Sequence, residues 1–518
     1  MKNKFHLLFF LFIGVLLHTD VVYAQREITI KNADVLEFSD KNGQRVYYLI
    51  NNVELQQNEI TLFCDTAYLY SSQNYALAIG NVHINQADSV HAYGDSVTYS
   101  GDAKIAVLYN NVKLTDRNMI LTTNQLTYNL ETKTGVYTNG GQLNNGETTL
   151  VSETGYYYSN SSDAFFRKNV ILTHPEYNLE ADTLQYNTTI DRAYFHGPTN
   201  IYNKNSTVYC EDGYYDSKPG IAVFNNNVVL TNPPQELQAD SIFYNRETGI
   251  GKAYGNIIFK DSAENILQYS QFGEYNEITQ TLISTKGSVA AYAFQGDTLF
   301  IAGDTIRIVE DSAGLKTLLV YYHVRIFKSD LQGVCDSLNY ADLDSIIRMF
   351  GEPLLWSDST QFSADTLMLY IKNSALSEIA MHTNAIIVNE VDSLIYNQVA
   401  GRDIYGLFTE QELRKVEVRG NGESIYYGQD EEKRFIGVNK AICSDIDLYI
   451  RNNAFTRITF KNLPESNFTP MQQVNVNEQR LDNFNWSPEK RPATKWDLFQ
   501  PIEETVKPSE TKSSQKDG

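Results

Sequence analysis

Proline, cysteine and basic side chains are all scarce, and each shortage narrows what the chain can be. Only 12 prolines occur in 518 residues. Proline removes a ladder hydrogen bond and is confined to strand edges, ends and bulges, so its scarcity leaves room for uninterrupted strands. The four cysteines, Cys64, Cys210, Cys335 and Cys443, stand 146, 125 and 108 residues apart. That is several units along a repeating chain, whereas a disulfide needs Cα atoms within about 7 Å, and a shared metal fails for the same reason. They are expected as buried small apolar side chains. Lys and Arg number 42 against 63 Asp and Glu, a net charge of −21. This balance argues against nucleic acid, which needs clustered positive charge, and against a basic grip on anionic head groups. Beyond the N-terminus no apolar run approaches the roughly 18 residues of a membrane helix.

The composition is rich where strands and turns need it, with 35 Tyr, 25 Phe and abundant Asn, Thr and Val. At the N-terminus Lys2 and Lys4 precede the apolar run Phe5–Leu17, and Val22-x-Ala24 suits signal-peptidase cleavage. Residues 1–24 are thus expected to be a signal peptide, and the mature chain to be exported.

The stretch "LQADSIFYN" (237–245) has close copies in "LEADTLQYN" (179–187) and "FSADTLMLY" (362–370). With its acid as marker, Asp65, Asp95, Asn124, Glu153, Asp182, Glu211 and Asp240 follow at a step of 30 and then steps of 29 residues. Asp304, Asp336, Asp365 and Asp403 continue the series. A second marker keeps step with it: "GNV" at 80–82, "NNV" at 110–112, "KNV" at 168–170, "NNV" at 226–228 and "GNI" at 255–257. A period of this size predicts stacked supersecondary units.

Within a unit the inward parity switches at the acid: Leu62/Cys64 then Ala67/Leu69, Leu237/Ala239 then Ile242/Tyr244, Ile301/Gly303 then Ile306/Ile308, Phe362/Ala364 then Leu367/Leu369. A flat strand keeps period two, so a one-residue shift at a fixed place predicts a bulge or corner. The return halves alternate cleanly, and turns such as "YNRETGIG" (244–251) are short enough to join antiparallel neighbours. The fold class is therefore all-β: an elongated antiparallel β-jelly roll or β-roll of about twelve two-strand repeats of ~29 residues, spanning 25–462. From 463 to 518 the period stops, and an irregular, largely disordered tail is expected, with Trp486, Trp496 and Phe499 as docking candidates.

Single residues offer little chemistry. One corner acid per unit does not supply the clustered oxygens a hard cation wants. His83, His91, His174, His196, His323 and His382 show no pairing at ligand spacing, and no nucleophilic triad or zinc signature appears, so neither a metal nor a cofactor is assigned. The candidate binding residues are inward apolar positions: Leu126, Tyr128, Leu184, Tyr186, Ile242, Tyr244, Val112, Val170, Val228, Ile257 and Leu367. Closed packing and a lipid groove use the same alternation, and small inward residues such as Ala181, Ala239 and Gly303 leave room inside.

The segment "VHINQADSVHAYGDSVTYSGDAKIAVLYNNVKLTD" (82–116) resembles the repeat of the LptA and OstA-like family of lipopolysaccharide-transport proteins. In that repeat a strand ending in a small residue plus Asp, then hydrophobic-x-Tyr, alternates with one bearing a Gly/Asn-hydrophobic motif. The resemblance covers roughly residues 26–460. It implies a twisted antiparallel jelly roll, open along one side, whose apolar groove shields acyl chains of lipopolysaccharide or another acylated glycolipid. It further implies a non-enzymatic periplasmic bridge, end to end with other lipopolysaccharide-transport proteins, in peripheral contact with the inner face of the outer membrane. The chain is longer than a small bridge member and lacks the family's run of outer-membrane barrel strands. Two other readings remain: a structural or adhesive β-rod without ligand, and a polysaccharide-acting β-solenoid enzyme.

Overall fold

A computed structural model describes residues 27–500 apart from 42, 88–89, 118, 295, 374, 410–411 and 452–453; the expected signal peptide lies outside the described residues. The described chain is almost wholly antiparallel β-structure, with a few short 3-10 turns. It divides into two compact units, Met1–Phe166 and Arg167–Gly518.

In the first unit the strands Gln44–Gln57, Ile60–Tyr70, Tyr75–Gln86, Val90–Ser100, Ile105–Asp116 and Met119–Asn129 each pair antiparallel with the next. Every one is interrupted at the expected corner. Val112 pairs with Thr123 and Tyr109 with Gln125, so Asn110 and Asn111 together oppose Asn124 alone. Both asparagines are left-handed, with φ of 59° and 50°, a conformation Asn tolerates better than most residues. The same pair recurs at Asn51/Asn52, Gly80/Asn81, Asn226/Asn227 and Gly255/Asn256. The bulge moves burial from Leu62 and Cys64 to Ala67 and Leu69, the parity switch expected from the sequence. Two half-strand walls result: wall A (residues such as 60–64 and 82–86) and wall B (66–70 and 75–79), facing each other over the buried side chains. Each wall ends at its free edge in short turns, its tips.

The second unit repeats this plan from Asn178–Asn187 onward. Its strands lengthen from 10–12 residues, as in Asn178–Asn187 and Ile221–Asn232, to 18, 15, 18 and 17 in Ala375–Asp392, Ile395–Thr409, Glu412–Gln429 and Phe435–Arg451. Glu465–Pro470 then pairs with Phe435–Arg451. Residues 471–500, expected as disordered, lack regular structure but run back across the outer face of wall A, burying Leu481 and Leu498. Trp486 packs on Tyr396 with ring centroids 5.5 Å apart, while Trp496 is 63% exposed. Scattered Leu, Phe and Trp residues there find an apolar surface that the local sequence does not reveal, while the polar last residues, expected to be disordered, lie outside the described residues.

All four cysteines are free and buried, and burial pushes the Cys64, Cys210 and Cys335 thiols up to about 12. His83 and His91 face each other across adjacent strands with Nε2 and Nδ1 3.1 Å apart.

Candidate functional site

Ten of the eleven candidate residues are buried: Val112, Leu126, Tyr128, Val170, Leu184, Tyr186, Val228, Ile242, Ile257 and Leu367. Tyr244 is half-buried and its hydroxyl donates to Glu277 at 3.1 Å. Most meet cross-strand apolar partners: Leu126 lies opposite Leu108, Leu184 opposite Phe195, Ile242 opposite Phe224, and Leu367 opposite Met349 and Met381. They sit on the inner faces as expected, and none of them lines the cavity described below.

The first unit is stitched shut at its free edges. Gln57, Gln86 and Asp116 stand at wall A tips and are all buried. Tyr99 on wall B donates to the Gln57 side chain, whose Nε2 donates to the Gly101 carbonyl at 3.0 Å. Gln86 Nε2 donates to the Leu130 carbonyl at 2.6 Å. The hydroxyls of Tyr157 (2.8 Å) and Ser159 donate to Asp116 Oδ2. Burial raises the Tyr99 and Tyr157 hydroxyls well above the ordinary tyrosine range, so they stay protonated donors. Tyr99, Tyr128 and Tyr157 each lie four residues after a corner marker and fill the interior with rings. In the second unit Tyr186, Tyr215 and Tyr244 take the same place after their own markers. Tip-to-tip contact there is made by Arg246, which donates to Glu176 at 2.9 Å, and by Tyr177 against Tyr215, 5.2 Å between centroids.

Further along the second unit Ile308, Leu369 and Leu407 replace the tyrosine at the equivalent place, with Tyr340 kept between the first two. Here the walls enclose a cavity of about 650 Å³. Wall A supplies Leu299, Ile301, Ile326, Phe362, Ile387 and Val399; wall B supplies Leu338, Ile347, Leu369, Ile379, Val416 and Leu448. The rim carries Asp330, the turn Ser357–Thr360, and Asn389 and Glu390 on wall A, with Glu412 on wall B. Among the described residues no hydrogen bond is seen joining residues 357–360 or 389–391 to residues 371–376 or 408–413. Among the described residues neither lysine, arginine, histidine nor cysteine lines the space. Its chemistry is that of an apolar slot with an acidic and hydroxylated lip. Ile301, Phe362 and Leu369 were read as inward from the sequence; the signal that would have singled them out is the missing tyrosine beside them.

The OstA-like protein family model matches residues 25–182 and 178–240, so this part of the chain carries OstA-like repeats. No curated protein matches the sequence. Among solved structures, the chain is similar to LptH of Pseudomonas aeruginosa, described as the LptA-homologous periplasmic component of the lipopolysaccharide transport device. Identity is 21%, over 20% of this chain and 78% of that one, with a TM-score of 0.19. It is also similar to the extracellular domain of the BT4673 one-component system of B. thetaiotaomicron, at 10% identity over 86% of this chain and 98% of that one, TM-score 0.10.

Proposed function

We propose, from the OstA-like repeats of residues 25–240 and the apolar slot of the second unit, that the protein is a non-enzymatic carrier of an acylated lipid. The lipid class is lipopolysaccharide or another acylated glycolipid, its chains lying between the walls and its polar head at the rim. The observation that carries the reading is the cavity of about 650 Å³. That volume falls within the ~300–1,000 Å³ usual for small-ligand sites. Each methylene moved there from water gains about 0.8 kcal/mol, so a chain of roughly twelve carbons gains on the order of 10 kcal/mol before ordering costs. The stitched interior of the first unit fits the ligand-free structural reading instead, and that role is assigned to it alone.

The reading places the mature chain in the periplasm, at the inner face of the outer membrane and end to end with other lipopolysaccharide-transport proteins. The apolar run Phe5–Leu17 supports export. Photo-crosslinkers at Leu369 or Ile379, which line the cavity, are expected to capture labelled lipopolysaccharide in cells, and one at Met368, which does not line it, is not. Absence of label at both cavity positions would sink the lipid reading.

A further inference from the structure

Three buried glutamines on the outer face of wall A bind the returning segment 471–500 as a neighbouring strand would. The Gln398 carboxamide donates to the Gln479 carbonyl at 2.9 Å and accepts from the Leu481 N–H at 2.9 Å. Gln361 repeats the exchange six residues on, donating to Asn485 O at 2.7 Å and accepting from Ser487 N at 2.9 Å. Gln332 accepts from Arg491 Nε at 2.7 Å. These residues are 0%, 1% and 3% exposed, so without the segment their amides would be uncovered and the apolar residues around them wetted.

Strand alternation links this back face to the cavity. Gln361 faces the segment and its neighbour Phe362 faces the cavity; Gln398 and Val399, Gln332 and Leu331, and Arg325 and Ile326 do likewise. The segment also reaches the lip. Arg491 Nη1 donates to the carbonyl of Asp358, a rim residue, at 2.7 Å, and Arg480 Nη2 donates to Leu394 O at 3.0 Å in the next wall A turn. Residues 471–500 contain no strand of their own, so they are held through such side-chain bonds and a small apolar layer. Segments held in this way open at low free energy relative to a strand ladder.

We propose that residues 471–500 are a releasable brace that fixes the curvature of wall A from behind and so sets the width of the cavity mouth. With the brace seated, the 357–360 turn is held at one spacing from wall B. With it displaced, wall A flexes and the mouth widens. The consequence for ligand exchange rests on the lipid reading above; the mechanical coupling does not.

The test uses the full chain with spin labels at Ser359→Cys and Glu412→Cys, one on each side of the mouth; the native thiols are buried and remain unlabelled. Pulsed dipolar spectroscopy is expected to give one narrow distance distribution, broadened and shifted longer in the Gln361→Leu/Gln398→Leu variant. Arg491→Ala, which removes the hold on the lip without uncovering the layer, gives a smaller shift of the same sign and serves if the glutamine variant does not fold. An unchanged distribution in a folded variant overturns the proposal. A fluorescent C12 fatty acid read in parallel is expected to dissociate at least threefold faster from the variants. If the wild type does not bind the fatty acid, the lipid reading fails while the distance measurement still decides the brace.

Discussion

Asn256 Nδ2 donates to both carboxylate oxygens of Asp240, at 3.2 and 3.0 Å, tying one left-handed corner residue to the acid of the preceding strand. Asn52 with Asp34, Asn81 with Asp65, Asn111 with Asp95, Asn227 with Glu211, Asn384 with Asp365 and Asn462 with Asp445 make the same clasp. At Asp304 a histidine, His323, substitutes at 2.8 Å. The two sequence markers are thus the two ends of one bond. Their carboxylates are spent on corners rather than on chemistry.

The clasp makes Gly255 and Gly287 unequal. Both have positive φ, 70° and 77°, but a Cβ on Gly255 would fall 2.1 Å from Asp240 Oδ2, whereas one on Gly287 meets nothing within 4 Å. Alanine at either position costs about 1 kcal/mol of backbone strain. Gly255→Ala is expected to cost about 1 kcal/mol more, as Asp240 must give up its bond to Asn256. Urea unfolding of the two variants checks the ordering, and equal losses would remove the clasp as the reason for glycine.

Closure of the first unit predicts a different effect. Tyr99→Phe keeps the ring in the core and removes one buried hydrogen bond to the Gln57 carboxamide. The expected loss is about 1–2 kcal/mol. Gln57→Leu loses the same bond and also the one to the Gly101 carbonyl, so combining it with Tyr99→Phe is expected to cost less than the two single losses added. A double-mutant cycle in urea reads this directly, and additive losses would show that the stitch contributes nothing.

The period, the corner and the side of each strand that is buried were legible in the sequence because they depend on neighbours two to five residues away. Asp240 and Asn256 were seen in phase, yet their bond was not, since it joins adjacent strands across 16 residues. Closure was less legible still. Tyr128, Tyr186 and Tyr244 have the inward alternation a groove would show, but their rings occupy the space a ligand would need. The cavity lies instead further along the chain, where Leu369 replaces the tyrosine. The brace was invisible for a related reason: residues 471–500 have no period, and Gln332, Gln361 and Gln398 look like ordinary outward strand residues until something covers them.

That replacement can be reversed. Leu369→Tyr restores the ring of the closed units inside the cavity, at a position lined by Ile347, Ile379 and Ile371. Binding of a fluorescent acyl chain is expected to weaken about tenfold, equivalent to roughly 1.4 kcal/mol, with the urea midpoint little changed because empty space is being filled. Tyr128→Leu is the converse in the packed first unit, and there the expected result is a stability loss of about 2–4 kcal/mol from the cavity created. Undiminished acyl binding by Leu369→Tyr would exclude this cavity as the chain site.

Acid should loosen the second unit through Asp447, which is 4% exposed. Burial alone would raise its carboxyl, but the hydrogen bonds from Lys461 at 2.6 Å and Arg419 at 2.9 Å outweigh it and hold the group below the ordinary carboxylate value. A carboxylate lowered in the folded state contributes stability above its unfolded value of about 3.9 and loses it as pH falls through the folded value. Wild-type protein is therefore expected to lose urea resistance steadily below about pH 4. Asp447→Asn leaves Lys415, Arg419 and Lys461 facing a neutral group, costing about 1–3 kcal/mol at pH 7, and flattens the acid limb of the curve. Unfolding midpoints between pH 2 and 7 separate the cases: a variant as acid-sensitive as the wild type would place the acid lability elsewhere.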